Sequence, residues 1–128
     1  MSRMVHYLAS PYRAHPQGRH QAYRDAVDAS ARLLRGGAVV FSPIVYGHAI
    51  QETAGDVLDE AAWLSVDLAI LAECDSLVVV MMPGWRESDG VANEIKRAVE
   101  REIPISYLSW PMLNVREDES GGHLPAVG

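Results

Sequence analysis

Residues 77–82 read Leu-Val-Val-Val-Met-Met, so every position of this predicted strand is apolar. A strand of this kind needs apolar cover on both faces, which is the situation inside a parallel sheet. Three further short stretches rich in strand-forming residues, at 4–9, 38–41 and 104–108, are predicted as strands. The chain therefore has the components of a buried sheet, and the intervening segments decide how its strands connect.

Those intervening segments are predicted to be mainly helical. Apolar residues recur at helical spacing over residues 19–35, and Gly36-Gly37 directly after them is typical of a helix end. Helices are also predicted over 56–73 and 88–101. Residues 42–48 are predicted to be a long loop. The order β-α-β-α-β-α-β predicts a doubly wound, flavodoxin-like or Rossmann-like three-layer α/β fold with a parallel sheet of four to five strands. Ligands of such sheets bind beyond the carboxyl ends of the strands.

Length and charge narrow the classes of partner. A chain of 128 residues fits one domain, expected at 1–116, followed by a frayed tail at 117–128. The balance of 11 Lys+Arg against 17 Asp+Glu, a net charge of -6, argues against binding to nucleic acid or to an anionic membrane. With one cysteine, Cys74, and no stretch typical of a signal sequence or a membrane helix, we expect a cytoplasmic protein without an intrachain disulfide.

Two carboxylates fall on apolar helix faces. Asp67 shares a predicted face with Trp63 and Ile70, and Glu94 lies at the edge of a stripe that includes Val91. Because an unpaired buried charge is costly, such positions suggest a function. The alternative is structural: Asp67 would pair with an arginine such as Arg13, and Glu94 would complement the helix dipole.

The start of the third predicted helix has the pattern Ser88-Asp89-Gly90. Ser88 or Asp89 can cap this helix, and Gly90 lacks a side chain where a ligand would meet free backbone N–H groups. By itself this pattern is also that of an ordinary capped turn.

Several segments together resemble nucleoside 2-deoxyribosyltransferases. Residues 7–12, Tyr-Leu-Ala-Ser-Pro-Tyr, resemble their first-strand motif, and residues 63–67 with Cys74-Asp75 resemble their second helix. Residues 88–94, Ser-Asp-Gly-Val-Ala-Asn-Glu, resemble the Ser-x-Gly-Val-x-x-Glu motif of the related deoxynucleoside 5′-monophosphate N-glycosidases. Residues 39–43, His48 and residues 84–88 look closest to a short bacterial branch of that superfamily. The resemblance covers about residues 4–108.

This resemblance implies cleavage of an N-glycosidic bond or deoxyribosyl transfer on a nucleoside or nucleoside 5′-monophosphate. Glu94 would be the nucleophile that forms a covalent glycosyl-enzyme, Asp67 would protonate the departing base, and Tyr7 would orient Glu94. Neither a metal nor an organic cofactor is implied. Relatives assemble as dimers or larger, so the resemblance also implies a homo-oligomer.

The resemblance also assigns substrate-binding residues. Tyr12 would stack on the base, while Ser88 and the Gly90 amide would hold a 5′-phosphate or 5′-hydroxyl, with Arg13 as a second phosphate contact. His48 would contact the ligand or be plain polar surface. At Ala92 and just after Glu94, where many relatives have glycine, the bulkier side chains are expected to narrow the pocket.

Two other classes of function stay open on the sequence. One is a non-catalytic nucleotide-binding or sensing module on the same sheet. The other is a flavodoxin-like binding protein with unrelated chemistry, for which the segment after the first strand, Ser10-Pro11-Tyr12-Arg13, lacks the expected Ser/Thr/Gly-rich character.

Overall fold

The computed structural model describes residues 3–111, which form a four-stranded, fully parallel sheet. The strands are β1 (Val5–Ala9), β2 (Val39–Phe41), β3 (Ser76–Val80) and β4 (Ile105–Leu108), in the spatial order β2-β1-β3-β4. The predicted α/β fold with a parallel sheet is confirmed. The tail predicted at 117–128 lies outside the described residues.

Four α-helices connect the strands. They are α1 (Arg19–Arg35), α2 (Pro43–Ala54), α3 (Glu60–Leu71) and α4 (Asp89–Glu100), and a single 3-10 turn at Trp85–Glu87 precedes α4. The helix α3 begins four residues later than predicted because the side chain of Asp59 caps it, accepting a hydrogen bond from the Ala62 N–H at 2.8 Å. In the part of the chain that is described, no helix is long and apolar enough to cross a bilayer.

The helix α2 corrects the prediction of a long loop at residues 42–48. The Ser42 hydroxyl accepts a hydrogen bond from the Val45 N–H at 3.2 Å, and Pro43 occupies the first helical position. Serine at the N-cap and proline at the first helical position are both typical of a helix start. The helix ends before Gly55, whose φ of 82° is readily adopted only by glycine. The observed order is therefore β-α-β-α-α-β-α-β.

Each face of the sheet has its own apolar core. On one face Leu8 of β1 and Val78 of β3 pack with Leu33 of α1. On the other face Tyr7 and Leu77, their immediate neighbours in sequence, pack with residues of α3 and α4. Successive side chains of a strand point to opposite faces, so a strand covered on both sides must be apolar throughout. The continuous apolar character of residues 77–80 in β3 has this cause, while the buried Ser76 at its start is paired with His6 of β1.

The order of the strands places a crevice between β1 and β3. From β1 the chain crosses to β2 on one side, and it then returns to add β3 on the other side. The connections after the two neighbouring strands thus diverge, and a crevice opens beyond their carboxyl ends. The segments that leave β1 at Ser10 and β3 at Met81 border this crevice.

Candidate active site

A cleft of about 640 Å³ occupies the crevice beyond β1 and β3. Its walls come from the segment after β1, the first turn of α2, one face of α3 and the start of α4. Six residues singled out from the sequence line it: Tyr12, Arg13, Asp67, Ser88, Gly90 and Glu94. Segments distant in sequence meet here because the parallel strands deliver them to the same edge of the sheet.

Glu94 is a buried carboxyl group in the wall of the cleft. Only 5% of its surface is exposed, and its Oε2 atom accepts a hydrogen bond from the hydroxyl of Tyr7, a fully buried residue of β1. Burial raises the pKa of Glu94 to about 8; the hydrogen bond from Tyr7 opposes this rise and the nearby charge of Asp67 adds to it. Burial also raises the pKa of Tyr7, so its hydroxyl keeps its proton and acts as the donor.

Asp67 is the second carboxyl group of this site. It lies on α3, lines the cleft, and its Oδ1 atom is buried with no hydrogen-bond partner among residues 3–111. Burial raises its pKa from 3.8 to about 6. The sequence analysis left open a pair between Asp67 and Arg13. The structure does not contain this pair, because Arg13 pairs with Glu60 at 3.2 Å.

Unsatisfied polar atoms concentrate at the cleft. Among residues 3–111, four buried side-chain atoms have no hydrogen-bond partner, and three of them belong to the cleft residues Ser10, Trp63 and Asp67. Buried polar groups are normally paired, and each exception calls for a reason. A polar ligand in the cleft would supply the missing partners.

The start of α4 forms the wall next to Glu94. Ser88 caps the helix, its hydroxyl oxygen accepting a hydrogen bond from the Val91 N–H at 3.2 Å. Gly90 borders the cleft, where a Cβ atom would meet nothing closer than the Ser88 hydroxyl at 3.7 Å. Asn93, which the sequence analysis did not single out, also lines the cleft. The sequence could have indicated Asn93 as a cleft residue, because it follows Asp89 by four residues and lies on the helix face that bears Glu94 and Gly90.

His48 lies behind Tyr12 and does not line the main cleft. It belongs to α2, is only 7% exposed, and its Nδ1 atom is 2.7 Å from the Tyr12 hydroxyl. Its ring stacks on Tyr23 with a centroid distance of 4.3 Å. Burial lowers the pKa of His48 and so favours the neutral ring. The prediction that it lies in a loop as polar surface is therefore wrong, because it is a buried helical residue, whereas its contact with a ligand stays a prediction.

The predicted narrowing of the pocket by bulk around Glu94 is not observed. Neither Ala92 nor Ile95 is among the residues that line the cleft. Ala92 is exposed and Ile95 packs against the apolar core of its face of the sheet. Ala92 and Ile95 are three residues apart and share a side of the helix that is turned away from the side that Gly90 and Asn93 present to the cleft.

We expect Glu94→Gln to stabilise the protein at alkaline pH. The folded state raises the pKa of Glu94 from 4.5 to about 8, so it binds the proton more tightly than the unfolded chain does. The resulting stability is fully present below about 4.5 and is lost as the pH rises to about 8. Glutamine keeps the shape and an acceptor for Tyr7 but does not titrate. Its advantage near pH 9 should reach a few kcal/mol, roughly 10 °C in Tm.

Thermal unfolding of both proteins across this pH range measures the difference. The gap in Tm between Glu94→Gln and the natural protein should widen steadily with pH. A gap that is independent of pH would show that Glu94 titrates normally in the folded protein.

Comparison with known proteins identifies the family. Residues 3–110 match a family described as a domain of unknown function, DUF1937, so the chain belongs to this family. No curated protein matches the chain. Its fold is similar to that of a 2-desoxiribosyltransferase from Leishmania mexicana, with a TM-score of 0.51 and 17% sequence identity over 89% of this chain and 67% of the other. At this identity the similarity establishes the fold.

Proposed function

We propose that this protein cleaves the N-glycosidic bond of a nucleoside, by hydrolysis or by transfer of the sugar to a second base, with Glu94 as nucleophile. The observation that carries the proposal is the buried pair of Glu94 and Tyr7 in the wall of a cleft that also holds Asp67. Two carboxyl groups in one cleft, each with a raised pKa, are typical of an acid and a nucleophile that work together. The fold shared with a deoxyribosyltransferase supports the same chemistry.

The first step forms a covalent intermediate. A carboxylate oxygen of Glu94 attacks C1′ of the sugar, and the C1′–N bond breaks with its electron pair moving to the base. The protonated carboxyl group of Asp67 donates its proton to the departing base. Tyr7 holds Oε2 of Glu94, which leaves the other oxygen as the attacking atom.

The second step releases the sugar. Water, or the nitrogen of a second base, attacks C1′ from the side that the first base left, and the ester bond to Glu94 breaks. Asp67, now a carboxylate, accepts the proton that the attacking group loses. The enzyme returns to its reactive form, in which Glu94 is ionised and Asp67 is protonated.

The charges of the cleft favour a nucleoside over a nucleoside monophosphate. One arginine, Arg13, lines the cleft, and it is already paired with Glu60. Five lining residues carry carboxyl groups: Glu60, Asp67, Glu87, Asp89 and Glu94. Asp89 stands in the first turn of α4, where its charge competes with a phosphate for the positive end of the helix. We therefore expect the start of α4 to receive an uncharged 5′-hydroxyl.

The proposal is tested by incubating the protein with deoxynucleosides, ribonucleosides and their 5′-monophosphates, with and without a second free base. Base release and base exchange are followed by chromatography, with Glu94→Gln as the matched inactive protein. We expect turnover of nucleosides with kcat/KM at least about tenfold above that of the monophosphates. If no substrate is turned over but one binds in the cleft, the nucleotide-sensing alternative replaces the enzyme.

A second variant separates substrate contact from folding. Gly90→Ala adds one methyl group to the cleft, and among residues 3–111 the atom nearest to the new Cβ, apart from the local helix backbone and chain neighbours, is the Ser88 hydroxyl at 3.7 Å. Alanine favours a helix over glycine, so stability should stay constant or rise by up to about 1 kcal/mol. The KM should nevertheless increase roughly tenfold, because the methyl group occupies space that the sugar needs. An unchanged KM would show that the sugar does not approach the start of α4.

We also expect the active form to be a homo-oligomer. The helix α3 is apolar along most of its length, yet Leu71 is its one fully buried residue. Val57 and Leu58, which precede it, are exposed, as is Tyr46 on the neighbouring helix. An exposed apolar patch of this kind is typical of a protein interface. Light scattering gives the mass in solution, and a monomer at working concentration would contradict the expectation.

A further inference from the structure

A second cavity of about 320 Å³ lies beside the cleft, on the far side of Tyr12. Three potential metal ligands border it: His20 from the first turn of α1, and His48 with Glu52 from successive turns of α2. One ligand atom of each side chain lies within 4.8 Å of the other two, and the two imidazole rings are 5.8 Å apart between centroids. Two imidazoles and a carboxylate thus converge at one place outside the proposed catalytic cleft.

An unsatisfied buried atom points to a ligand at this place. The Nε2 atom of His48 is buried and has no hydrogen-bond partner within residues 3–111, while Nδ1 of the same ring pairs with the Tyr12 hydroxyl. The nearest carboxylate oxygen, on Glu52, is 3.9 Å from Nε2, too far for a hydrogen bond. A buried ring nitrogen without a partner destabilises the folded protein, so a ligand in the cavity that pairs with Nε2 of His48 would remove this cost.

The chemistry of the cavity favours a cation. Its charged lining consists of two carboxylates, Glu52 and Asp56, and one guanidinium, Arg19. Neutral imidazole and carboxylate are ligands that Zn²⁺ and neighbouring divalent transition metals prefer. A tetrahedral ion with bonds of about 2.0–2.1 Å needs ligand atoms roughly 3.3 Å apart. His20 and Glu52 are exposed and can close the remaining distance by side-chain rotation, whereas His48 is held in place.

We propose that His20, His48 and Glu52 bind one divalent transition-metal ion, with Zn²⁺ as the best fit and water as the fourth ligand. When Nε2 of His48 coordinates the metal, Nδ1 carries the proton and donates it to the oxygen of the Tyr12 hydroxyl. Hydrogen bonds of this kind orient metal-binding histidines. Tyr12 also lines the cleft, so the metal fixes one wall of the substrate site while taking no part in the chemistry.

The sequence did not reveal this site, because the spacing of the histidines alone is not that of a metal motif. The pair His48 and Glu52 has the i, i+4 spacing that places two side chains on one helix face. That relation exists only because residues 43–54 are helical rather than a loop. His20 reaches the pair because α1 packs against α2.

The test is titration of the chelator-treated protein with ZnCl₂ in a calorimeter, together with Tm with and without Zn²⁺. We expect one Zn²⁺ per chain, a Tm increase of several degrees, and affinity weakened at least about tenfold in both His20→Ala and Glu52→Gln. Glu73→Gln, which removes an exposed carboxylate at the end of α3, is the matched control and should bind as the natural protein does.

Co²⁺ provides a second readout, because its visible absorption reports coordination by nitrogen and oxygen ligands in a four-coordinate site. The absorption should form with the natural protein and with Glu73→Gln, and it should be lost with His20→Ala. Absence of Zn²⁺ binding, or equal affinity in the natural protein and both ligand variants, would overturn the proposal. None of these readouts depends on glycosyl activity, so the result stands whether or not the proposed function holds.

Discussion

Glu94→Gln should lower kcat/KM for glycosidic cleavage by on the order of 10³-fold or more, with no loss of folding. Glutamine retains the buried shape and accepts the hydrogen bond from Tyr7, but its amide oxygen is too weak a nucleophile to form the ester. Single-turnover kinetics with the natural protein should also show base release ahead of sugar release. Activity in Glu94→Gln within about tenfold of the natural enzyme would exclude Glu94 as the nucleophile.

The dependence of kcat/KM on pH gives an independent check on the two carboxyl groups. The reactive form needs Glu94 ionised and Asp67 protonated, so the profile should be bell-shaped, with limbs near the two pKa values of about 6 and about 8. Because the two groups influence each other, these values belong to the pair. In Asp67→Asn the bell should be replaced by a single rise with pH, since only the ionisation of Glu94 then matters.

The variant Tyr7→Phe tests whether the Tyr7 hydroxyl positions Glu94 for the reaction or only contributes to the packing of the folded protein. The hydrogen bond from Tyr7 stabilises the ionised form of Glu94, so its removal should raise the pKa of Glu94 further. We expect a loss in kcat of roughly 10 to 100-fold and a shift of the alkaline limb to higher pH. A purely structural role for the hydroxyl would lower stability and leave the profile where it is.

Gly84→Ala should produce the largest loss of stability among single substitutions at the glycines within residues 3–111. Gly84 follows β3 and adopts φ 90°, ψ 0°, a left-handed conformation that costs other residues about 1–2 kcal/mol. A Cβ atom there would lie 2.2 Å from the carbonyl oxygen of Ala14, which belongs to the backbone of the segment after β1. The two segments must separate, so we expect a loss of roughly 3–5 kcal/mol, or more than 10 °C in Tm.

Gly37→Ala is the matched control for this loss. Gly37 also has a positive φ, 95°, but within the described part of the chain a Cβ atom there meets no atom within 4 Å beyond its two chain neighbours. It should therefore show only the conformational cost, about 1–2 kcal/mol. The difference between the two variants, measured by denaturant unfolding, isolates the close approach of Gly84 to Ala14. Equal losses of stability in the two variants would mean that the segments that contain Gly84 and Ala14 can separate without a cost in free energy.

Strands and long helices were predictable because their signals are local. The continuous apolar run at β3 required cover on two faces, and α1 followed from apolar residues at helical spacing that end at Gly36. The helix α2 was missed although Ser42 and Pro43 are good start signals. Gly47 and Tyr46 in its interior are weak helix formers, and its packing against α1 outweighs their propensity.

The sequence by itself determined the class of the fold and the edge of the sheet at which the cleft lies, since strand pattern and helix period depend on residues close together in the chain. It also marked Asp67 and Glu94, because carboxylates on apolar helix faces are anomalous without any partner being known. Only the tertiary structure decided that Arg13 meets Glu60 and that His20 meets His48, whereas the resemblance had already implied the contact of Tyr7 with Glu94. Each of these pairs joins different elements, so its geometry depends on how sheet and helices pack, which no local pattern records.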